Sequence, residues 1–286
     1  MSIQKHLHLP DSRLFYRIDG FREPLIFIHG NFNDHRIWDR QADHFRKHVQ
    51  VIRYDLRGYG QSDTPTAAFS HVDDLKHLME HLNLDKVILV GSSMGGGIAI
   101  DFALAYPERV RGLVLAAPSV TGQRYPLNML WKGFINFYQL RFRGSRSAIE
   151  AFIHDPYWSY FFPSTQNMEA REQVLQNIRN PNNFCRFPPH LAIPPRNNSM
   201  KRLDELRIPA LIIASDRDHP SNLKTADELA RRIPQATSMI IKDCGHLPFV
   251  ERAEEFNQAV LSFIIPILSN TSASDAIPAG PKRLVH

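Results

Sequence analysis

Val87-Ile88-Leu89-Val90-Gly91-Ser92-Ser93-Met94-Gly95-Gly96-Gly97-Ile98-Ala99 decides how this chain is read. The four apolar residues at its start, three of them β-branched, form a run suited to a strand buried on both faces. Gly91-x-Ser93-x-Gly95 follows, then an apolar run to Ala105 with helical spacing that stops near Pro107. A serine between two glycines at a strand-to-helix corner is a candidate nucleophile held in a strained conformation. The flanking glycines leave room for a φ/ψ that larger neighbours would block. The helix start behind Ser93 aims backbone N–H groups and a positive dipole end at whatever the serine attacks.

Outward from this corner, strand and helix alternate. Residues 4–9 and 13–18, split by Pro10-Asp11-Ser12, read as an antiparallel hairpin. Buried strands are expected over 25–28, 51–54, 87–90 and 110–116, with a helix over 71–82 feeding the corner. The rhythm stops from Ser119 to about Leu203 and resumes with strands at 210–214 and 238–241 and helices at 222–232 and 253–265. The expected fold is therefore α/β, a mostly parallel sheet with helices on both faces. Residues 1–118 and 204–268 form its core, and 119–203 form a helical lid inserted after the sixth strand. Helices are expected there over 127–142, 148–158 and 168–180, and 269–286 read as a disordered tail.

Bulk composition bounds the function. A chain of 286 residues, 43% hydrophobic and 22% charged, suits a soluble globular protein with one core and an insertion, or two small domains. The net charge of +5 comes without a long basic run, which argues against nucleic acid as a partner. The N-terminus lacks an apolar signal region, no run reaches membrane-spanning length, and Pro266 breaks the most apolar segment. Cys185 and Cys244 cannot build a disulfide framework, so the expected compartment is the cytoplasm.

The Ser93 corner resembles the nucleophile elbow of the α/β-hydrolase family. The resemblance spans about residues 12–118 and 204–265 and leaves out the lid. It implies an acid and then a histidine later in the chain. Asp243-Cys244-Gly245-His246-Leu247-Pro248-Phe249 matches the family's histidine loop and implies His246. The loop Ser215-Asp216-Arg217-Asp218-His219-Pro220 offers two acids; family spacing favours Asp218, with Asp216 as competitor. For the oxyanion hole the resemblance implies the N–H of Met94. His29-Gly30-Asn31-Phe32 implies the N–H of Asn31 as the second donor, with Phe32 in reserve. His29 is expected to hold the turn. The stretch from Asp55 to Ser62 matches the family's Asp-x-Arg-Gly-x-Gly-x-Ser, with Arg57 in a buried pair.

The implied chemistry is hydrolysis of a small ester, lactone or other acyl compound through an acyl-enzyme, with no metal or organic cofactor. Serine rather than aspartate at the elbow argues against the family's dehalogenases and epoxide hydrolases. Carbon–carbon bond hydrolysis of a diketone is a rival using the same residues, and a ligand-binding protein without turnover is another.

His77-Leu78-Met79-Glu80-His81 spells an inverted zinc-protease motif, but both histidines fall opposite the apolar stripe of their helix. Asn197-Asn198-Ser199 and Asn270-Thr271-Ser272 are glycosylation sequons by spelling only. Trp131, Phe134 and Tyr138 share one helical face, a spacing that suits packing. A lid so aromatic is nevertheless expected to lend rings, Trp131 among them and Phe32 opposite, to an apolar acyl site. Arg124, Lys132, Arg141, Arg143 and Arg146 occur between Ser119 and Ile149 without an acidic residue, forming either a solvated face or an attraction for an anionic substrate or lipid surface.

Overall fold

Eight strands pair into one sheet in the computed structural model, which describes residues 2–184, 187–195 and 198–274. The strands are β1 (Ser2–His8), β2 (Arg13–Gly20), β3 (Pro24–Ile28), β4 (Gln50–Tyr54), β5 (Val87–Ser92), β6 (Val110–Ala116), β7 (Ala210–Ser215) and β8 (Ala236–Ile241). Their order is β1-β2-β4-β3-β5-β6-β7-β8. The β1/β2 and β2/β4 pairs are antiparallel, and every later pair is parallel. Strand β5 lies between β3 and β6 with all of its residues buried.

Period-two alternation sorts the side chains into two layers. Ile26, Ile28, Leu89 and Leu113 pack beneath α2 (His71–His81), α3 (Met94–Ala105) and α7 (Pro220–Arg232). Their neighbours Leu25, Phe27, Ile88 and Val90 pack on the other face against α1 (Asp39–Phe45), α8 (Pro248–Glu251) and α9 (Ala253–Ser274). Val72, Leu75, Leu78 and Met79 are the buried stripe of α2, so His77 is left in solvent and His81 meets the Tyr16 hydroxyl at 3.1 Å. The zinc spelling is an accident of that outer face.

Between β6 and β7 the chain forms α4 (Leu127–Arg143), α5 (Ser145–His154) and α6 (Met168–Ile178). Helix α5 stops four residues earlier than its periodicity predicts. Pro156 disfavours helical φ/ψ at Asp155, whose carboxylate instead accepts the Tyr157 N–H at 3.0 Å and opens a 3₁₀ turn. Both roots of the insertion fasten to α3, because Asp101 accepts the Thr121 hydroxyl at 2.7 Å and also the Ser199 hydroxyl. Helix α9 runs through Pro266 to Ser274, so the first residues of the expected tail continue the helix. Ile267 and Leu268 pack on the core just past the proline, which offsets its missing hydrogen bond. Residues 275–286, Cys185 and Asn197 lie outside the described residues.

Candidate active site

The β5–α3 corner holds Ser93 at φ 51°, ψ −118°, a conformation that strains any side chain with a Cβ. Close packing enforces it. A Cβ on Gly91 would stand 2.4 Å from the Gly95 carbonyl oxygen, and one on Gly95 would stand 2.2 Å from that of Ile28. A Cβ on Gly30 would stand 3.0 Å from the Ser93 Cβ, a tight contact that this glycine avoids. The Ser93 N–H donates to Ala116 at 3.0 Å, and its carbonyl accepts the Ser119 N–H at 3.0 Å, which ties the corner to the end of β6.

Two amides beside this serine are uncommitted. Met94 is the first residue of α3, so its N–H has no acceptor within the helix. Among the described residues neither it nor the Asn31 N–H has a backbone partner. The Phe32 N–H, by contrast, donates to Asn31 Oδ1 at 3.1 Å. Tyr59 donates its hydroxyl to the same oxygen at 2.7 Å, fixing the Asn31 side chain. Below the loop, His29 is fully buried, and desolvation holds its pKa below the ordinary value despite the nearby Asp55. Its Nε2 accepts the Leu56 N–H at 2.9 Å, so the ring proton sits on Nδ1, which donates to the Gly30 carbonyl at 2.8 Å. His29 thus holds the turn as a neutral ring.

On the far side of the sheet's carboxyl edge, His246 Nδ1 donates to Asp218 Oδ2 at 2.9 Å, and both side chains are buried. That bond puts the ring proton on Nδ1 and leaves Nε2 as an acceptor. The other Asp218 oxygen accepts the His219 N–H at 2.6 Å and the Asn222 side-chain amide at 2.9 Å. Asn222 therefore fixes the carboxylate, a role nothing in the sequence signals because it is one polar residue in the first turn of α7. Asp216 lies exposed, 4.0 Å from Lys242, and Arg217 pairs with Asp243 rather than with Asp216. The His246 N–H donates to the Tyr160 carbonyl at 2.8 Å. A Cβ on Gly245 would stand 2.1 Å from that oxygen, so the loop needs glycine there. Cys244 is no rival nucleophile, since burial pushes its thiol up to about 12.

Ser93, His246, Asn31, Phe32 and Asn222 line one cavity of about 500 Å³ at the carboxyl ends of the parallel strands. Its other walls come largely from the insertion: Met129, Leu130, Phe137 and Leu140 of α4, with Trp158, Tyr160, Phe161 and Phe184. Trp131 is not among them. It is 61% exposed and stacks on Phe134, with ring centroids 5.7 Å apart. The expected part for Trp131 in the acyl site is therefore corrected. Helix α4 carries two apolar faces, and the Trp131 face is the outer one.

The insertion is anchored by a residue the sequence did not flag. Asp34, just past the Asn31 loop, accepts from Arg36 at 2.6 Å, Asn177 at 3.1 Å, Asn180 at 3.2 Å and Asn183 at 2.9 Å. Burial alone would raise its pKa. The Arg36 guanidinium and the Asn183 amide outweigh that, and the carboxyl is held well below the usual carboxylate range. Asp34, His35 and Asp55 form a grouping with metal-ligand spacing, but protein donors occupy it. Asp55 takes the His35 N–H at 2.7 Å, its ring at 2.8 Å and the Gln61 N–H at 2.8 Å. Arg57 pairs with Asp11 at 2.8 Å and with buried Asp74.

Since Asp34 has a lowered folded pKa, its stabilisation is complete above the unfolded value of about 4 and is lost as pH falls below it. Asp34→Asn is expected to cost about 2 kcal/mol at neutral pH. Thermal melts should show the gap to wild type constant above about pH 5 and narrowing as pH falls from about 4 toward about 2. A gap that stays constant with pH contradicts this reading.

Comparison with known proteins agrees with this architecture. A family model described as alpha/beta hydrolase fold matches residues 23–253. A 2-hydroxy-6-oxononadienedioate/2-hydroxy-6-oxononatrienedioate hydrolase of Paraburkholderia phymatum is 30% identical over 271 residues, covering 89% of this chain and 91% of that one. The malate-bound structure of a thermophilic esterase from Thermogutta terrifontis superposes with a TM-score of 0.77 at 27% identity, over 93% of this chain and 99% of that one. Est816, described as an N-acyl homoserine lactone degrading enzyme, superposes with a TM-score of 0.72 at 26% identity, over 91% of this chain and all of that one. A family match running from the start of β3 to the start of α9 takes in strands β3 to β8, the corner and the His246 loop alike: this protein belongs to the alpha/beta hydrolase fold family.

Proposed function

We propose that this chain hydrolyses small, uncharged carboxylic esters or lactones through an acyl-enzyme on Ser93. In this mechanism His246 Nε2 takes the Ser93 proton as Oγ attacks the carbonyl carbon. The Asn31 and Met94 amides stabilise the negative oxygen that forms. Collapse of the tetrahedral adduct expels the alcohol, which takes the proton from His246. Water then attacks the acyl group with His246 again as base, releasing the acid and restoring the serine. Asp218 holds the ring and offsets the charge of the imidazolium. The helical insertion acts as a lid that supplies the acyl pocket.

The observation that carries the substrate class is the lining of the cavity, which among the described residues includes no Lys, Arg, Asp or Glu. A neutral acyl chain fits such walls. A carboxylate would be desolvated there without a cationic partner, which costs several kcal/mol, or about 100-fold or more in kcat/KM. The esterase and lactone-degrading neighbours agree with this choice. Carbon–carbon bond hydrolysis is the second reading, favoured by the 30% identity to a hydrolase named for a dioate.

The test is a panel of p-nitrophenyl esters of graded chain length, an N-acyl homoserine lactone and a 2-hydroxy-6-oxo-dienedioate. Esters or the lactone are expected to exceed the dioate at least about 100-fold in kcat/KM. A preference for the dioate would establish the carbon–carbon reading. Binding of every compound with turnover of none would establish a ligand-binding role.

A further inference from the structure

Helix α4 has no buried residue, and its two apolar faces do different things. The inner one walls the cavity. The outer one is a stripe of Leu127, Trp131, Phe134, Tyr138 and Phe142, successive positions three or four residues apart, all exposed. Leu127 is 85% and Phe142 67% exposed, far beyond the scattered single hydrophobics of an ordinary surface. Trp and Tyr among Leu and Phe is the composition of a helix lying at a boundary between water and lipid.

Within residues 119–149 the charge has one sign. Lys132 is neutralised by Asp155 at 2.6 Å. Arg124, Arg141, Arg143 and Arg146 are exposed, and none has an ion pair among those found in the described residues. Arg141 lies over the Phe142 ring, 5.6 Å from its centroid, at the edge of the stripe. A second copy docked by the same face would bring two sets of unpaired arginines together without an acidic partner. Anionic headgroups complement them, and the acyl boundary takes the rings.

We propose that α4 docks this protein on an anionic lipid surface, with the Leu127–Phe142 stripe in the headgroup–acyl boundary and the four arginines on lipid phosphates. Among the described residues no helix is long and apolar enough to cross a membrane, so the association is peripheral. The inner face of the same helix walls the cavity, and docking sets that cavity beside the bilayer. The proposal does not depend on which acyl compound is cleaved.

Flotation of the full chain with vesicles tests it, comparing pure phosphatidylcholine with a mixture containing about 30% phosphatidylglycerol. Wild type is expected to float with the anionic vesicles only, with Trp131 emission shifting blue, since Trp38 and Trp158 are already buried. Trp131→Ser with Phe134→Ser, and separately Arg141→Gln with Arg143→Gln, should each weaken binding at least about tenfold. Hydrolysis of a water-soluble ester should stay unchanged in both, which shows the fold intact. If no ester is turned over, unchanged thermal melts serve instead, and the lipid result stands apart from the catalytic reading. Absence of flotation, or equal binding to both vesicle types, overturns the proposal. So does a solution dimer that the same substitutions dissolve, which would assign the stripe to a second copy.

Discussion

Asp218→Asn is expected to lower kcat about 10⁴-fold in a folded protein, while Asp216→Asn stays within about tenfold of wild type. The difference follows from what each carboxylate touches. Asp218 accepts the His246 Nδ1 proton at 2.9 Å from a buried position, and Asn222 and the His219 amide hold its other oxygen. An asparagine there can present its NH₂ to His246, which favours the tautomer with the proton on Nε2 and removes the acceptor that Ser93 needs. It also removes the charge opposite the imidazolium. Together these correspond to roughly 5 kcal/mol of barrier. Asp216 is solvent-exposed beside Lys242, so its loss changes only a screened surface contact. The check is kcat on one ester for both variants, with circular dichroism and melting to establish folding. The reverse ordering would move the acid to Asp216.

Ser93→Ala is expected to remove about 10⁶ in kcat, the scale on which loss of a serine nucleophile is felt. Ser93→Gly is the more informative substitution. It removes the same hydroxyl and also frees the backbone from φ 51°, ψ −118°, which only glycine adopts without strain. Strain of about 1–3 kcal/mol is relieved, and the glycine's extra freedom in the unfolded chain takes back about 0.5–1. Ser93→Gly should therefore melt above both wild type and Ser93→Ala while being as inactive as the alanine variant. A glycine variant no more stable than alanine would mean that the corner stores no strain. Residual turnover in either variant above about one part in 10³ of wild type would mean that another group attacks the substrate.

The sheet was legible because its strands are short apolar runs that alternate with stretches of helical spacing, and the glycines around Ser93 marked a corner where backbones meet closely. The family resemblance, through its histidine loop and its spacing after β7, implied His246 and Asp218, and the fold brings the two together. What escaped the sequence depends on partners remote along the chain or on a choice between equal faces. Asn177 and Asn183 are ordinary asparagines until folding places them on Asp34, well over a hundred residues away. Asn222 becomes significant only once α7 begins beside Asp218. Helix α4 is apolar on two sides, so periodicity could not say whether Trp131 or Phe137 faces inward; packing of Met129 and Leu140 on the core turned the Phe137 side toward the cavity.

The most direct measurement is site mapping of a fluorophosphonate adduct on the full chain, run beside ester turnover. Attack by an activated serine is what that reagent records, and among the described residues only Ser93 combines the strained corner, two amides without a backbone partner and the His246 cavity. One equivalent of label on Ser93, with turnover lost in proportion and labelling abolished in Ser93→Ala, is the predicted result. Stoichiometric label on any other residue, or labelling that persists in Ser93→Ala, would contradict it.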